Sequence, residues 1–445
     1  FIFLKYKTHF IVGFFYFYPM KKLLVASSFL LSLNAVAQFN VQIELPTYLS
    51  DSDIYLYGFN GSKEVLQAKA KIAGNVATFK VDKPYTGMMR AFFSKASSSV
   101  NMVAENKDIN FKMELDAKNK ISNVVFQDPT NQLFSKEVDL QKKQELILPA
   151  LIQIKDYYAA SDDFYKSLDS EIKALSKDYA SEYTAHPFLS YYHQNQKYAQ
   201  QEKTAELKSQ DFIDFFSKSG EYLETSSILK PALINFLNVS KSNVEGAVDQ
   251  LLLAVNLETP RGQTILSELI DIFGTYNMDK MKDKYLTQAQ NLKCTINDRL
   301  ASTIKSNKNT EIGAKFPNTA FANPINTKSK SLYDVKAAKK VVVFWSSTCS
   351  HCESELPKFI EKYQKLKAQK IEIVGFSLDS NLGEFKSKAK LYPWINDSEG
   401  KGWYSSYAET YNIAATPTYF VLDADNKIIS KPNHVGDVLE FLKVN

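Results

Sequence analysis

Residues 341–357 read V-V-V-F-W-S-S-T-C-S-H-C-E-S-E-L-P. An apolar run from Val341 to Trp345 ends in small hydroxyl residues, and Cys349 and Cys352 then open a segment of helical period. This pattern predicts a strand, a short loop and a helix whose first turn carries a dithiol. A thiolate, not a thiol, attacks a disulfide, and a helix N-terminus offers free amides and the positive end of a dipole to hold that anion. Cys349 is placed where that field is strongest. Cys352, one turn deeper on the same face, can attack a mixed disulfide formed on Cys349 and release the substrate. Two other readings compete, packing cysteines and half of a metal site. A structural zinc site needs four ligands, and no second Cys or His pair stands at ligand spacing, so no metal and no other cofactor is expected.

Working outward, residues 414–423 read A-A-T-P-T-Y-F-V-L-D, a strand led by Thr416 and Pro417. A dithiol helix followed by a Thr-Pro strand resembles the thioredoxin superfamily. Residues 344–357 are similar to the TlpA-like bacterial envelope reductases, whose motif F-W-x-x-x-C-x-x-C-x-x-E-x-P is matched here at Phe344, Trp345, Cys349, Cys352, Glu355 and Pro357, with Pro417 matching the later strand. The resemblance covers the last quarter to third of the chain. It implies a thioredoxin-like α/β fold and a cis Thr416–Pro417 bond beside the dithiol. It also implies substrate contacts at Trp345, Thr416 and Pro417 and a proton-handling role for Glu355. On the residues alone, cis bonds are essentially confined to X-Pro, but a lone Thr-Pro reads equally as a trans turn. Glu355 likewise reads as an acid answering the helix dipole, as Glu353 does.

Thioredoxins proper have an Asp before the Phe-Trp pair and a Trp before the first cysteine, where this chain has Val343 and Thr348. Between the cysteines stand Ser350 and His351. A protonated or hydrogen-bonding His351 at the helix start would favour the Cys349 thiolate and, by stabilising the reduced form, make the disulfide more oxidising. The alternative is an exposed, neutral imidazole. Pro357 removes a backbone bond inside the helix and is expected to bend it.

At the other end, an aromatic stretch runs to Pro19 before Met20, Lys21 and Lys22. Met20 reads as the start of a secretory signal, with a positive n-region, an apolar core over residues 23–33 and a small-residue cleavage site at 35–37. The apolar run is shorter than the ~20 residues of a spanning helix, so no stable membrane span is expected in the mature chain, and the expected location is the periplasm or cell envelope. Removing four lysines from a net charge of +5 leaves +1. Lysines scattered among acids read as a solvated surface, not as a nucleic-acid face. Export would permit a disulfide framework, yet the chain of 445 residues holds three cysteines. The third, Cys294, falls in a helical-looking stretch and reads as a buried small hydrophobe.

That length implies more than one domain. Residues 38–130 alternate in short apolar runs separated by Asn-Gly and Gly-Asn turns, predicting an all-β, sandwich-like domain of unknown function, with residues 116–131 as its exit. From 131 to 307 the period turns helical. Phe164, Leu168, Ile172, Leu175 and Tyr179 share a face behind an N-terminal cap at residues 161–163, and further helices are expected around 211–216, 228–237, 244–255 and 264–273. Tyr191 and Tyr192 read as core or as a binding surface, and His186 and His193 as structural or surface residues. A polar linker at 305–330 leads into the thioredoxin-like domain at 308–445. There, strands at 341–345, 371–378, 418–422 and 427–430 alternate with helices to 367, at 382–391 and from 437. Cys352, Leu356, Phe359, Ile360 and Tyr363 share the first helix's inner face.

The reading is an envelope thiol-disulfide oxidoreductase that reduces or exchanges protein disulfides, with Cys349 attacking, Cys352 resolving and an upstream thiol donor regenerating the dithiol. A disulfide oxidase or isomerase using the same dithiol, and a non-catalytic envelope binding protein, are the alternatives.

Overall fold

The computed structural model describes residues 39–444 apart from 178, 202, 203 and 205, so the leader expected over residues 1–37 lies outside the described residues. The chain opens with strands β1 (Phe39–Glu44), β2 (Ile54–Asn60), β3 (Lys63–Lys69), β4 (Lys71–Ala73), β5 (Val76–Val81), β6 (Thr86–Phe93), β7 (Ser98–Glu105), β8 (Ile109–Leu115) and β9 (Ile121–Phe126). They form two sheets, ordered β4-β5-β1-β8-β9 and β3-β2-β6-β7. Period-2 alternation decides which side chains face inward. In β1, Phe39, Val41 and Ile43 are buried while their neighbours are exposed, and they share one core with Met89, Ala91 and Phe93 of β6. Residues 116–131, expected as an exit, instead hold the last strand. The Asp116 carboxylate accepts from the Lys118 and Lys120 amides, turning the chain back so that β9 pairs antiparallel with β8.

Helices follow: α1 (Pro129–Leu146), α2 (Leu148–Lys155), α3 (Asp163–Leu175), α4 (Pro187–Asn195), α5 (Ser209–Lys218), α6 (Leu229–Val239), α7 (Val244–Val255), α8 (Pro260–Thr275), α9 (Asp279–Gln290) and α10 (Asp298–Asn309). Asn131 fastens α1 to β7, its side chain bonding both the amide and the carbonyl of Val103. Side chains of Asn243 and Thr259 cap α7 and α8, which pack with α5 and α6 in the largest apolar cluster. Around α3 the structure departs from expectation. Asp162 turns its carboxylate to the Ala159 amide instead of capping. Phe164 is half-exposed against Tyr158, and Tyr179 lies beyond the helix end. Cys294 is not helical either. It sits half-buried in the loop between α9 and α10, where the Gln263 amide reaches its sulfur at 3.4 Å. His193 and Tyr183 both bond the buried Glu137, and His186 lies against Thr130 and Glu105, so both histidines hold structure together.

The last part is built on β10 (Lys339–Trp345), α11 (Ser350–Glu355), α12 (Pro357–Ala368), β11 (Ile371–Ser377), α13 (Leu382–Ala389), β12 (Ile395–Ser398), α14 (Ser406–Thr410), β13 (Thr418–Asp423), β14 (Ile428–Ser430) and α15 (Val435–Phe441). Its sheet runs β12-β11-β10-β13-β14, with β10 central, parallel to β11 and antiparallel to β13. Pro357 divides the first helix into α11 and α12. Ile360, expected inside, is 41% exposed, whereas Cys352, Leu356, Phe359 and Tyr363 are buried. Residues 305–330 are not a free linker. Their first residues belong to α10, Phe316 is fully buried, and the Gly313 and Phe316 amides bond the carbonyls of Ile428 and Asn426. Strand β12 and helix α14 were not expected, and α15 starts two residues early, with the His434 amide donating to Asp437.

The β-rich part meets this last part through Tyr404. Its ring stacks on Tyr57 with centroids 4.2 Å apart, and its hydroxyl donates to Glu64 at 2.6 Å. Glu64 is in turn ion-paired with Arg90.

Candidate functional site: the dithiol at the end of the central strand

Seven apolar or shielded residues from Lys339 to Trp345 make β10 a strand buried on both faces, as a central strand covered by helices must be. The chain then turns through Ser346–Thr348 into α11, whose N-cap is Cys349 itself. Cys349 Sγ accepts the Cys352 amide at 3.1 Å, the place an Asp or Ser oxygen usually takes. The Cys349 thiol also donates to the Thr416 carbonyl at 3.3 Å. The Thr416–Pro417 bond is cis and both residues are partly exposed, so this carbonyl, Pro417 and the attacking sulfur form one surface.

The two cysteines differ in environment. Cys349 is half-buried and Cys352 is 1% exposed, packed in one cluster with Trp345, Phe385, Tyr392 and Tyr419. Burial, reinforced by the adjacent Cys349 sulfur, pushes the Cys352 thiol from an ordinary 9.0 up to about 12, because desolvation disfavours the charged form. At neutral pH the buried sulfur is therefore a thiol and the accessible one is the candidate nucleophile.

Trp345, expected to touch substrate, does not reach the surface. It is fully buried, edge-on to Tyr392 at 5.2 Å, and a Cβ on Gly375 would stand 2.9 Å from its Nε1. Its place is in the floor beneath the dithiol, a consequence of β10 being covered on both faces. Glu355 is also placed otherwise than expected. One carboxylate oxygen accepts the Val435 amide at 2.9 Å, the other bonds Lys358, and neither bonds a sulfur among the described residues. The carboxyl is held below its usual range by Lys358 and the Val435 amide, against the opposing effect of burial. A carboxylate so held is a weak base, and the geometry favours a fastening role between α11 and α15. Ser350 and His351 are exposed at the helix start, and the His351 side chain bonds neither sulfur among the described residues.

A residue outside the motif holds the dithiol loop. Asp379 is 4% exposed and accepts from the Ser346 hydroxyl at 2.7 Å, from the Ser347 amide and hydroxyl at 2.9 Å each, and from the Ser377 hydroxyl at 2.6 Å. The parallel register pairs Trp345 with Ser377, so the residue two beyond Ser377 falls beside the residues just after Trp345. A lone Asp after an apolar run was the only signal in the sequence. Among the described residues no group of three or more His, Cys, Asp or Glu could hold a metal, and no helix is long and apolar enough to cross a membrane.

Residues 338–428 match the family model described as thioredoxin-like. Over 125 residues the chain is 30% identical to the thiol-disulfide oxidoreductase ResA of Bacillus thuringiensis, covering 27% of this chain and 69% of that protein. It is 29% identical over 119 residues to the thioredoxin-like protein YneN of Bacillus subtilis, covering 25% and 65%. The thioredoxin domain of a thiol-disulfide oxidoreductase from Bacteroides vulgatus aligns at 25% identity, covering 30% of this chain and 99% of that domain, with a TM-score of 0.28.

Proposed function

The chain belongs to the thioredoxin-like thiol-disulfide oxidoreductases, and from that premise we propose that it reduces protein disulfides in the cell envelope through Cys349 and Cys352. The observation that carries this is the contrast between the two sulfurs: one accepts an amide at the helix start beside the Thr416 carbonyl, the other is buried and held protonated. As a thiolate, Cys349 attacks one substrate sulfur, forming a mixed disulfide and expelling the other substrate sulfur as a thiolate that takes up a proton. Cys352 then gives up its proton, attacks Cys349 Sγ and releases the second substrate thiol. One disulfide in the protein replaces one in the substrate, two electrons having passed. An external dithiol donor restores the reduced form. The high value of the Cys352 thiol keeps it idle until the mixed disulfide forms. Thr416 and Pro417 line the substrate's approach, and Ser350 and His351 flank it. The envelope location rests on the signal read at residues 20–37.

The test is turnover of a model disulfide in the presence of an external thiol. Cys349→Ser is expected to abolish it, and Cys352→Ser to accumulate a mixed disulfide visible by mass. Undiminished turnover in Cys349→Ser would sink the proposal.

A further inference from the structure

Strand β10 makes its last ladder pairs at Phe344, with Thr418 of β13, and at Trp345, with Ser377 of β11. Ser346 comes next. It is buried but lies past both ladders, so its amide, carbonyl and hydroxyl must find partners elsewhere. Each goes to a group of the redox site. The carbonyl accepts the Cys349 amide at 3.2 Å. The amide bears on Cys352: burial, the larger effect, pushes that thiol up, while a hydrogen bond from the Ser346 amide pulls it down by favouring the thiolate. The hydroxyl donates to Asp379 at 2.7 Å.

Asp379 anchors the arrangement. Its buried carboxylate is met by uncharged donors, the hydroxyls of Ser346, Ser347 and Ser377 and the Ser347 amide. A buried charge that loses a donor is heavily penalised, so the loop cannot turn Ser346 away cheaply. The resolving step needs this fixity, because it calls for a thiolate where burial disfavours one. Cys352 gives up its proton to water and its Sγ bonds to Cys349 Sγ. The bond from Cys349 to the substrate breaks, and the substrate sulfur leaves as a thiolate that takes up a proton. An amide already aimed at the sulfur on which charge develops counts for far more in a dry site than in water. The Cys349 thiolate, by contrast, has the Cys352 amide at 3.1 Å, and its attack depends less on the tether.

We propose that Asp379 is a positioning residue of the resolving step: by gripping the Ser346 hydroxyl and the Ser347 amide, it keeps the Ser346 amide on the Cys352 sulfur and the Ser346 carbonyl on the Cys349 amide. Asp379 acts through Ser346 and touches no reacting atom. This rests on Cys349 attacking and Cys352 resolving.

The test mixes the reduced full chain with dithiodipyridine, quenches with acid at set times and maps the products by mass. The adduct on Cys349 is then followed through its formation, which is attack, and its decay, which is resolution, with Cys294 read apart. The ratio of the decay rate to the formation rate is expected to fall about tenfold in Asp379→Asn and in Ser346→Ala, the scale of one hydrogen bond to a charged group. Ser346→Ala keeps every backbone bond and guards against a fold lost in Asp379→Asn. Ser377→Ala removes a donor to the same carboxylate from the β11 side and is expected to leave the ratio within twofold of wild type. A ratio moved less than twofold in Ser346→Ala overturns the proposal. An equal fall in Ser377→Ala and Ser346→Ala overturns it too, by reducing Asp379 to a support of the fold. A Cys349 adduct that does not decay in the wild type would instead overturn the redox reading beneath it.

Discussion

At the scale of single residues, the site works by making two identical side chains unlike. Cys349 stands at a helix start in reach of solvent, and Cys352 lies on an apolar floor of Trp345, Tyr392 and Tyr419. The consequence is an order of reactivity. Mass-mapped alkylation of the reduced protein at pH 8 is expected to label Cys349 first, with Cys352, buried and shifted up, following far more slowly. Equal labelling of both sulfurs at pH 8 would show that burial does not separate them. The same shift has a sign for stability. The unfolded thiol ionises near its ordinary 9.0 while the folded one holds its proton to about 12. The unfolded state therefore binds fewer protons between these values, and the stability present below pH 9 is lost as pH rises toward 12. Tyr392, pushed up to about 12 by burial and by the neighbouring Cys352, acts in the same direction, so the difference between wild type and Cys352→Ser reports the thiol together with its effect on Tyr392.

At the scale of elements, α11 is short and gains its fixity from what it touches. Its Glu355 accepts the first amide of α15, a capping bond made between helices and not within one. Glu355→Gln keeps the shape but exchanges a charged acceptor for a neutral one. Unfolding in urea is expected to show a loss of about 1 kcal/mol, with the pH profile of Cys349 alkylation unmoved and no loss in Glu353→Gln, whose exposed carboxylate pairs with Lys388. A displaced alkylation profile in Glu355→Gln alone would restore the proton-handling role that the resemblance implied. Legibility varied between elements for physical reasons. β10 and its dithiol could be read because an apolar run bounded by small residues has few other meanings. β12 could not, because Asn396 and Asp397 look like a loop. Their burial is matched by residues 322–325, Ala322 and Asn323 donating amides to Asp397 and Ile325 exchanging bonds with Asn396, and by the Tyr407 hydroxyl, which also donates to Asp397. Asp379 was illegible for the same reason, its partners being fixed by strand register and not by spacing along the chain. Trp345 was misread because a motif states which residue is present and not which way it faces.

At the scale of the whole molecule, the question is where the redox unit begins. Read from the sequence, it starts at residue 308, ahead of the end of the polar stretch near 330, and residues 313–316 pack onto the last sheet. Phe316 is fully buried, stacked on Tyr411 with centroids 4.3 Å apart. The Gly313 amide donates to Ile428 at 2.7 Å, and the Ile428 amide returns a bond to Ala314 at 2.9 Å. Residues 313–316 thus add an outer, strand-like segment beside β14. Removing Phe316 alone should cost about 3–5 kcal/mol, the range for emptying a buried aromatic site. Cutting further would strip Asp397 of two amide donors and leave a buried carboxylate underpaired, an added penalty. On the other flank, Tyr404 loses its seat on Tyr57 when the β-rich part is absent, but it sits in a three-residue turn whose own bonds lie within the unit. We therefore expect a fragment of residues 313–445 to unfold in urea as one cooperative transition and to exchange a small disulfide. A fragment of residues 331–445 should show no such transition. Equal midpoints for the two fragments would mean that the segment only decorates the fold. A fragment 313–445 that melts without cooperativity, while the full chain does not, would mean that the redox unit depends on the parts before it.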